Sequence, residues 1–278
     1  MKKLLSLLCL LLMGQFAIGQ QKEKLKGSKI VTVEQKEVEE FENLEVADNL
    51  EIFLVKGDKS SIEIEADDNL HQTIEVVSAA NTLRLSSNRQ ISSAKKYAVR
   101  VTYTDQFKML TAKGDANITA LADLNLPHFT FKIHDNVRLY ANVNAKKFNL
   151  LADEKSKTEL NLKSEEASIE LSKNAQIKAL IATTQMKFDM YQKSKAEIEG
   201  DAIDFRLRMD NNSEFIGAKL STKNTELVTE GNAECSVNVA TKLILDAKGK
   251  SEVDLYGDQK IEIKNFLDSA ILRKKPLK

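Results

Sequence analysis

Three kinds of side chain in this sequence are of types that could do chemistry. Cys235 sits in TEGNAECSV, a thiol among acids where a nucleophile or a metal ligand could stand. His71, His128 and His134 are candidate zinc ligands, and Glu197, Glu214, Glu234 and Glu252 recur at near-regular intervals, as oxygen ligands for a hard cation such as calcium would. A zinc site needs clustered ligands at short, defined spacing. His128 and His134 are six residues apart and flank predicted strands or corners, so all three histidines are expected to be exposed corner residues. No Gly-x-Ser-x-Gly elbow, His-Glu-x-x-His pair, Cys-x-x-Cys or phosphate-cradling glycine loop is present. We therefore assign no catalytic, cofactor-binding or metal residues.

The elements that must hold these side chains follow from an internal repeat. The pieces GDANI, DNVRL, SKTEL, KNAQI, SKAEI, NNSEF, GNAEC, GKSEV and LDSAI each carry a polar turn, then a small, a polar and an apolar residue. Their third residues are Ala116, Val137, Thr158, Ala175, Ala196, Ser213, Ala233, Ser251 and Ser269, at intervals of 17 to 21. Before the turns lie alternating apolar runs such as Phe129, Phe131, Ile133; Phe205, Leu207, Met209; and Ile261, Ile263. Period two means strands with one buried face. Meanders would need a tight hairpin after every strand, whereas equal units with equivalent corners return the chain parallel to itself. The expected fold is all-β: a parallel β-helix, or β-solenoid, with coils of about 19 residues, making a rod on the order of 40 Å long.

In this register the small residue of each corner and the apolar residue two further on point inward, and the residue between them points out. Cys235 then shares an inward column with Ile118, Leu139, Leu160, Ile177, Ile198, Phe215, Val253 and Ile271, which makes it a buried small hydrophobe. Glu197, Glu214, Glu234 and Glu252 form one outward column, with Glu199 and Asp254 on the same side. Unit charges one strand spacing apart repel by about 0.9 kcal/mol even in water. Lys195 and Lys250 in the adjoining corners would offset this; a bridging calcium is the alternative. Phe129, Phe131, Phe148, Phe188 and Phe205 have inward parity and are expected to fill the core, leaving Tyr140, Tyr191 and Tyr256 as exposed contacts.

The chain has 41 basic and 41 acidic side chains, so no net charge recruits nucleic acid or a membrane surface. Residues 1–19 read as a secretory signal peptide: two lysines, an apolar run from Leu4 to Met13, and Ala17-Ile18-Gly19 as a cleavage site. The apolar run is about half of a membrane span, so no span is expected after cleavage. Cys9 lies inside this run and is read as filler, not a lipidation site. Residues 20–40 are expected to be a linker, 41–272 one β-helical domain with a less regular part over 41–108 and regular coils over 109–272, and 273–278 a basic tail.

The opening FENLEV, the strand pair VKGDKSSIEIEADDNL, NTLRLS, and the corners GDANI, GNAEC and GKSEV resemble the putative autotransporter adhesin family, the head GIN domain, over roughly Phe41 to Ile271. The sequence departs from that pattern where Asp135, Ser156, Lys173, Ser194, Asn211 and Leu267 replace the corner glycine, and in lacking a proline before FKML. The resemblance implies a right-handed β-helix on an exported Gram-negative envelope protein, lodged in the periplasm, on the outer surface or released. It implies no functional residues. The expected function is a non-catalytic surface module that presents coil faces to a protein, a glycan or another copy of itself, without cofactor. The competing expectation is a β-helical polysaccharide-degrading enzyme using scattered acids and Arg138 or Lys132 as base. Coil spacings of 17 to 21 leave little room for the walls of a substrate groove.

Overall fold

The computed structural model describes residues 22–276; the expected signal peptide and Cys9 lie outside them. Between Arg138 and Ala247 each coil is one long strand: Arg138–Ala152, Lys157–Leu171, Gln176–Met190, Lys195–Met209, Glu214–Thr229 and Glu234–Ala247; the next coil is split into Glu252–Tyr256 and Lys260–Phe266. Each pairs in parallel with the next. Pairing skips one residue mid-strand, at Lys146 in the first of these, so every coil has a first arm after the tight corner and a second arm before the next one. Inward residues alternate on both arms. Leu139, Val143, Phe148 and Leu150 are buried while Arg138, Tyr140, Asn142 and Asn149 are exposed, which is the period of two expected of half-buried strands.

The corners are what repeats most strictly. Gly114, Asp135, Glu154, Lys173, Gln192, Asn211, Gly231, Gly249 and Asp268 all have positive φ, between 56° and 81°, at steps of 18 to 21 residues. The next residue's N–H donates to the carbonyl of the left-handed residue one coil earlier, at 2.6 to 2.9 Å from Asn136→Gly114 through Ser269→Gly249. The corners therefore stack as a hydrogen-bonded column of their own. Glycine is needed where the stack is tightest: a Cβ on Gly249 would lie 2.6 Å from the carbonyl oxygen of Gly231.

This column corrects the register in the sequence analysis. Ala175 pairs with Ser156 and Ser194, not with Thr158 and Ala196, so two of the nine units are shifted by two residues and the last by one. The residues that replace the corner glycine there are Glu154, Gln192 and Asp268, not Ser156, Ser194 and Leu267. The intervals 21, 17, 21, 17 become an even 19. A slip of two preserves parity, so Leu160 and Ile198 are still buried.

The N-terminal portion is all-β as expected, but its layers are stacked out of sequence order. Asn43–Val46 and Glu51–Lys56 form a coil that pairs with Met109–Ala112 and Asn117–Ala120 on one side. On its other side lie Thr82–Ser87 and Tyr97–Tyr103, which come later in the chain. Antiparallel strands then close the end: Ile74–Ala79 on Thr82–Ser87, Ser61–Asp67 on Tyr97–Tyr103, and Val31–Glu37 outermost. The expected linker over 20–40 is thus largely structured, with Lys24–Lys26 paired to Gln90–Ser93 as well. Its charged, polar composition suits an edge strand, whose exposed side chains must discourage further pairing. The expected basic tail is also partly structured. Ile271–Lys274 pairs with Glu252–Tyr256, and Arg273 reaches Glu252 at 2.6 Å.

Candidate functional site

Cys235 is buried in a column that runs through Ile118, Leu139, Thr158, Ile177, Ala196, Phe215, Val253 and Leu272. Leu160, Ile198 and Ile271 are not in it, yet the inward assignment of the thiol holds. Burial, with the Asp254 charge adding to it, pushes the thiol up to about 12. A thiol so seldom ionised is a poor nucleophile and ligand.

The four-glutamate ladder is not assembled as expected. Glu197 lies in another column, between Lys178 and Ile216, and the residue beside Glu214 is Lys195, whose Nζ is 2.8 Å from the carboxylate. The acidic run is therefore Glu214, Glu234 and Glu252, bounded by Lys195 at one end and by Arg273, which reaches back to Glu252, at the other. Cations at both ends are the ordinary remedy for stacked charge. Lys250 forms no ion pair among the described residues. Glu197 and Glu199 are met by Lys178 and Lys219 at 3.2 and 2.7 Å. Among the described residues no three His, Cys, Asp or Glu side chains converge as a metal site would require.

His71 corrects the expectation of exposed histidines. It is buried in a short 3-10 turn at the N-terminal end, with Nε2 2.8 Å from Thr32 Oγ1. Strand Val31–Glu37 covers it, which a linker could not do. His128 is exposed at a strand start, and His134 is half-buried in a corner, 3.0 Å from Asp153. The five phenylalanines are core, as expected. Phe107, Phe129, Phe131 and Phe148 run ring to ring at centroid distances of 5.0, 4.8 and 6.0 Å. Tyr140 is exposed; Tyr191 and Tyr256 are half-buried. Lys132 and Arg138 stand on different arms, either side of one corner.

The regular coils place a groove of about 590 Å³ on the outward side of the second arms, spanning residues 147 to 244. Two parallel columns line it: Lys147, Glu166, Gln185, Asp204, Asn224 and Lys242, and beside them Asn149, Ser168, Lys187, Arg206, Glu226 and Ile244. The charges are paired within it or at its rim: Lys147 with Glu166 at 3.0 Å, Arg206 with Glu226 at 2.9 Å, and Lys187 with Asp189 at 2.7 Å. Asn224 Nδ2 donates to Asp204 Oδ1 at 2.9 Å. Lys242 is held by Glu262 at 2.8 Å, so the result is a row of donors and acceptors at strand pitch in which each cation is paired with an acid. Sequence reasoning missed this groove because its residues lie about 19 apart and none is distinctive alone.

On the first arms a second concavity of about 420 Å³ contains Tyr140, Asn142, Asn161 and Leu180. Its asparagines form a ladder, with Asn161 Nδ2 donating to Asn142 Oδ1 at 2.8 Å and Asn142 Nδ2 to Asp123 Oδ1 at 3.1 Å.

The family described as "Putative auto-transporter adhesin, head GIN domain" matches residues 40–258. No curated protein matches the chain. The fold is similar to a putative adhesin from Parabacteroides merdae, with 16% identity and a TM-score of 0.65 over 91% of this chain and 98% of that one. It is also similar to a putative adhesin from Parabacteroides distasonis, with 14% identity and a TM-score of 0.66 over 91% and 100%. A putative lipid binding protein from the latter organism shares 13% identity, with a TM-score of 0.59 over 92% and 100%. At such identities the likeness concerns the fold alone. No helix among the described residues is long and apolar enough to cross a membrane.

Proposed function

The chain belongs to the head GIN domain family of putative autotransporter adhesins, and from that premise we propose that it is a non-catalytic interaction module of the cell envelope whose second-arm groove takes a neutral, hydroxyl-rich glycan. What supports this reading is the pairing of the groove's charges. Its lysines and arginine are tied to acids, while Gln185, Ser168 and Asn149 offer uncharged donors and acceptors between them. A neutral hydroxylated chain can exchange water for such groups without breaking ion pairs. The leader expected in residues 1–19 supports delivery out of the cytoplasm. The interior is occupied by stacked rings, so a ligand is taken on the outside.

Retention of the protein on immobilised neutral and acidic glycans and on cell-envelope fractions tests this. Neutral glycans should be retained, and the double change Gln185→Ala with Asn149→Ala should weaken them about tenfold, the worth of one or two hydrogen bonds. Retention by acidic glycans only, or by none, would count against it.

A second reading rests on the first-arm face, where Leu180 and Tyr140 are 54% and 42% exposed and Ile216, four coils on in the Tyr140 column, is exposed as well. Apolar side chains on a polar sheet suit a protein partner. Leu180→Asp would abolish such binding and leave glycan retention unchanged.

A further inference from the structure

The two ends of the solenoid are finished in opposite ways. At the N-terminal end the outermost strand, Val31–Glu37, pairs Thr32, Glu34 and Lys36 with the buried Ala66, Ile64 and Ile62. Its core-side positions are thus polar, and the core stops there. At the C-terminal end Ile261, Ile263 and Phe266 are in register with Leu243, Leu245 and Ala247, each fully buried. They continue the core columns, yet they are 45%, 51% and 42% exposed. Leu272, in register with buried Val253, is half-buried beside them. Among the described residues Lys260–Phe266 pairs only with Glu234–Ala247, and Ile271–Lys274 only with Glu252–Tyr256. A cross-section of the core and a row of unpaired backbone groups therefore face outward together, and such an edge recruits another strand.

We propose that the C-terminal end is a tail-to-tail interface with a second copy of this chain, related by a two-fold axis. The sequence of the edge strand, KIEIKNF, is self-complementary. Laid antiparallel on itself about Ile263, it sets Glu262 opposite Lys264 of the second copy, and Lys264 opposite Glu262. Slipped by one residue, the same strand sets Lys264 opposite Ile261 or Ile263; slipped by two, it sets lysine opposite lysine. Pairing with the inner strand skips Lys264, a bulged lysine that discourages strands lacking an acid at that place. The cations beside it are already held, Arg273 by Glu252 and Asp254 and Lys275 by Asp254, while Glu262, held by Lys242 of its own chain at 2.8 Å, would be shared with Lys264 of the second copy. The contact uses the same patch on both copies, and the polar opposite end offers no matching surface, so association closes at two. This interface adjoins the last residues of the glycan groove, Lys242 and Ile244, and the proposal does not rest on what the groove binds.

Sedimentation of the full chain from about 1 to 100 μM, a range bracketing ordinary interface affinities, should show a dimer. Glu262→Lys should weaken it at least about tenfold, and adding Lys264→Glu should restore it to within about threefold, because only the register about Ile263 exchanges the two charges. Ile263→Asp should leave a folded monomer. A wild-type monomer at every concentration would overturn the proposal, whether the end is bare or covered by a further stretch of chain. A dimer indifferent to these substitutions, or growth into filaments, would overturn it equally.

Discussion

The regular coils and the N-terminal end solve one problem, a continuous apolar core between two sheets, by different means. In the coils each residue is one member of a column, and its work is shared with equivalents above and below. Nine corners carry the same left-handed backbone on six residue types, glycine, the two acids, the two amides and lysine, since the stacked carbonyls hold it. At the N-terminal end single residues do work that nothing repeats. Asp67 is fully buried and accepts backbone N–H bonds from Lys29 at 2.9 Å and from Lys95 and Lys96 at 3.0 Å. Gly27 lies against it so closely that a Cβ there would come 2.0 Å from the carboxylate. Repetition buys tolerance; a layer order that departs from chain order depends on individual fastenings.

Asp67→Ala should give the largest effect, leaving three buried N–H groups without their acceptor. Melting should fall by roughly 5–10 °C, with hydrogen exchange rising first in 24–37 and 61–103 while the coils from Arg138 stay protected. Uniform loss across the chain would break the comparison. Burial pushes this carboxyl up, but the N–H groups of Lys96, Lys29 and Lys95 outweigh it and hold it below its ordinary 3.8. A lowered folded value stabilises above the ordinary value and is lost as pH falls through the folded one. The N-terminal end should therefore loosen before the coils on acidification below pH 3.8.

A smaller effect, of opposite sign, is expected at a corner. Gln192 holds a φ of 62°, so Gln192→Gly should remove left-handed strain and stabilise by about 1 kcal/mol, read as a rise of about 2–4 °C in melting temperature. A loss would mean that the stack, not the residue, sets the corner geometry entirely. The smallest effect belongs to the buried thiol. Cys235→Val should change stability by less than about 0.5 kcal/mol. In the native protein the raised thiol contributes stability below its ordinary 9.0, lost as pH climbs from there toward about 12. Thiol reagents at pH 8 should label Cys235 only after denaturation, and fast native labelling would place it outside the core.

Most of the inward set was legible in the sequence, including Phe129, Phe188, Leu207, Leu245 and Cys235, because alternation is local and a period of two survives any error of two. For the same reason the slip at Ser156 and Ser194 could not be seen: Thr158 and Ala196, two residues on, are small as well and share their parity. The even interval of 19 was the missed signal. Glu197 left the acidic ladder, and Lys195 entered it, through that slip alone. The burial of His71 and the pairing of 20–40 were not legible, since a charged edge strand and a charged linker have the same composition.

By itself the sequence determined the strand period, the face most side chains take up to the last corner, the coil length and the family, because these rest on local backbone sterics and on which residues avoid water. Only the tertiary structure decided which residues stack, in what order the N-terminal layers lie, and that the core runs out uncovered at Ile261 and Ile263. Those depend on where one coil's hydrogen bonds meet the next, a relation between residues about 19 or more apart that no local pattern encodes.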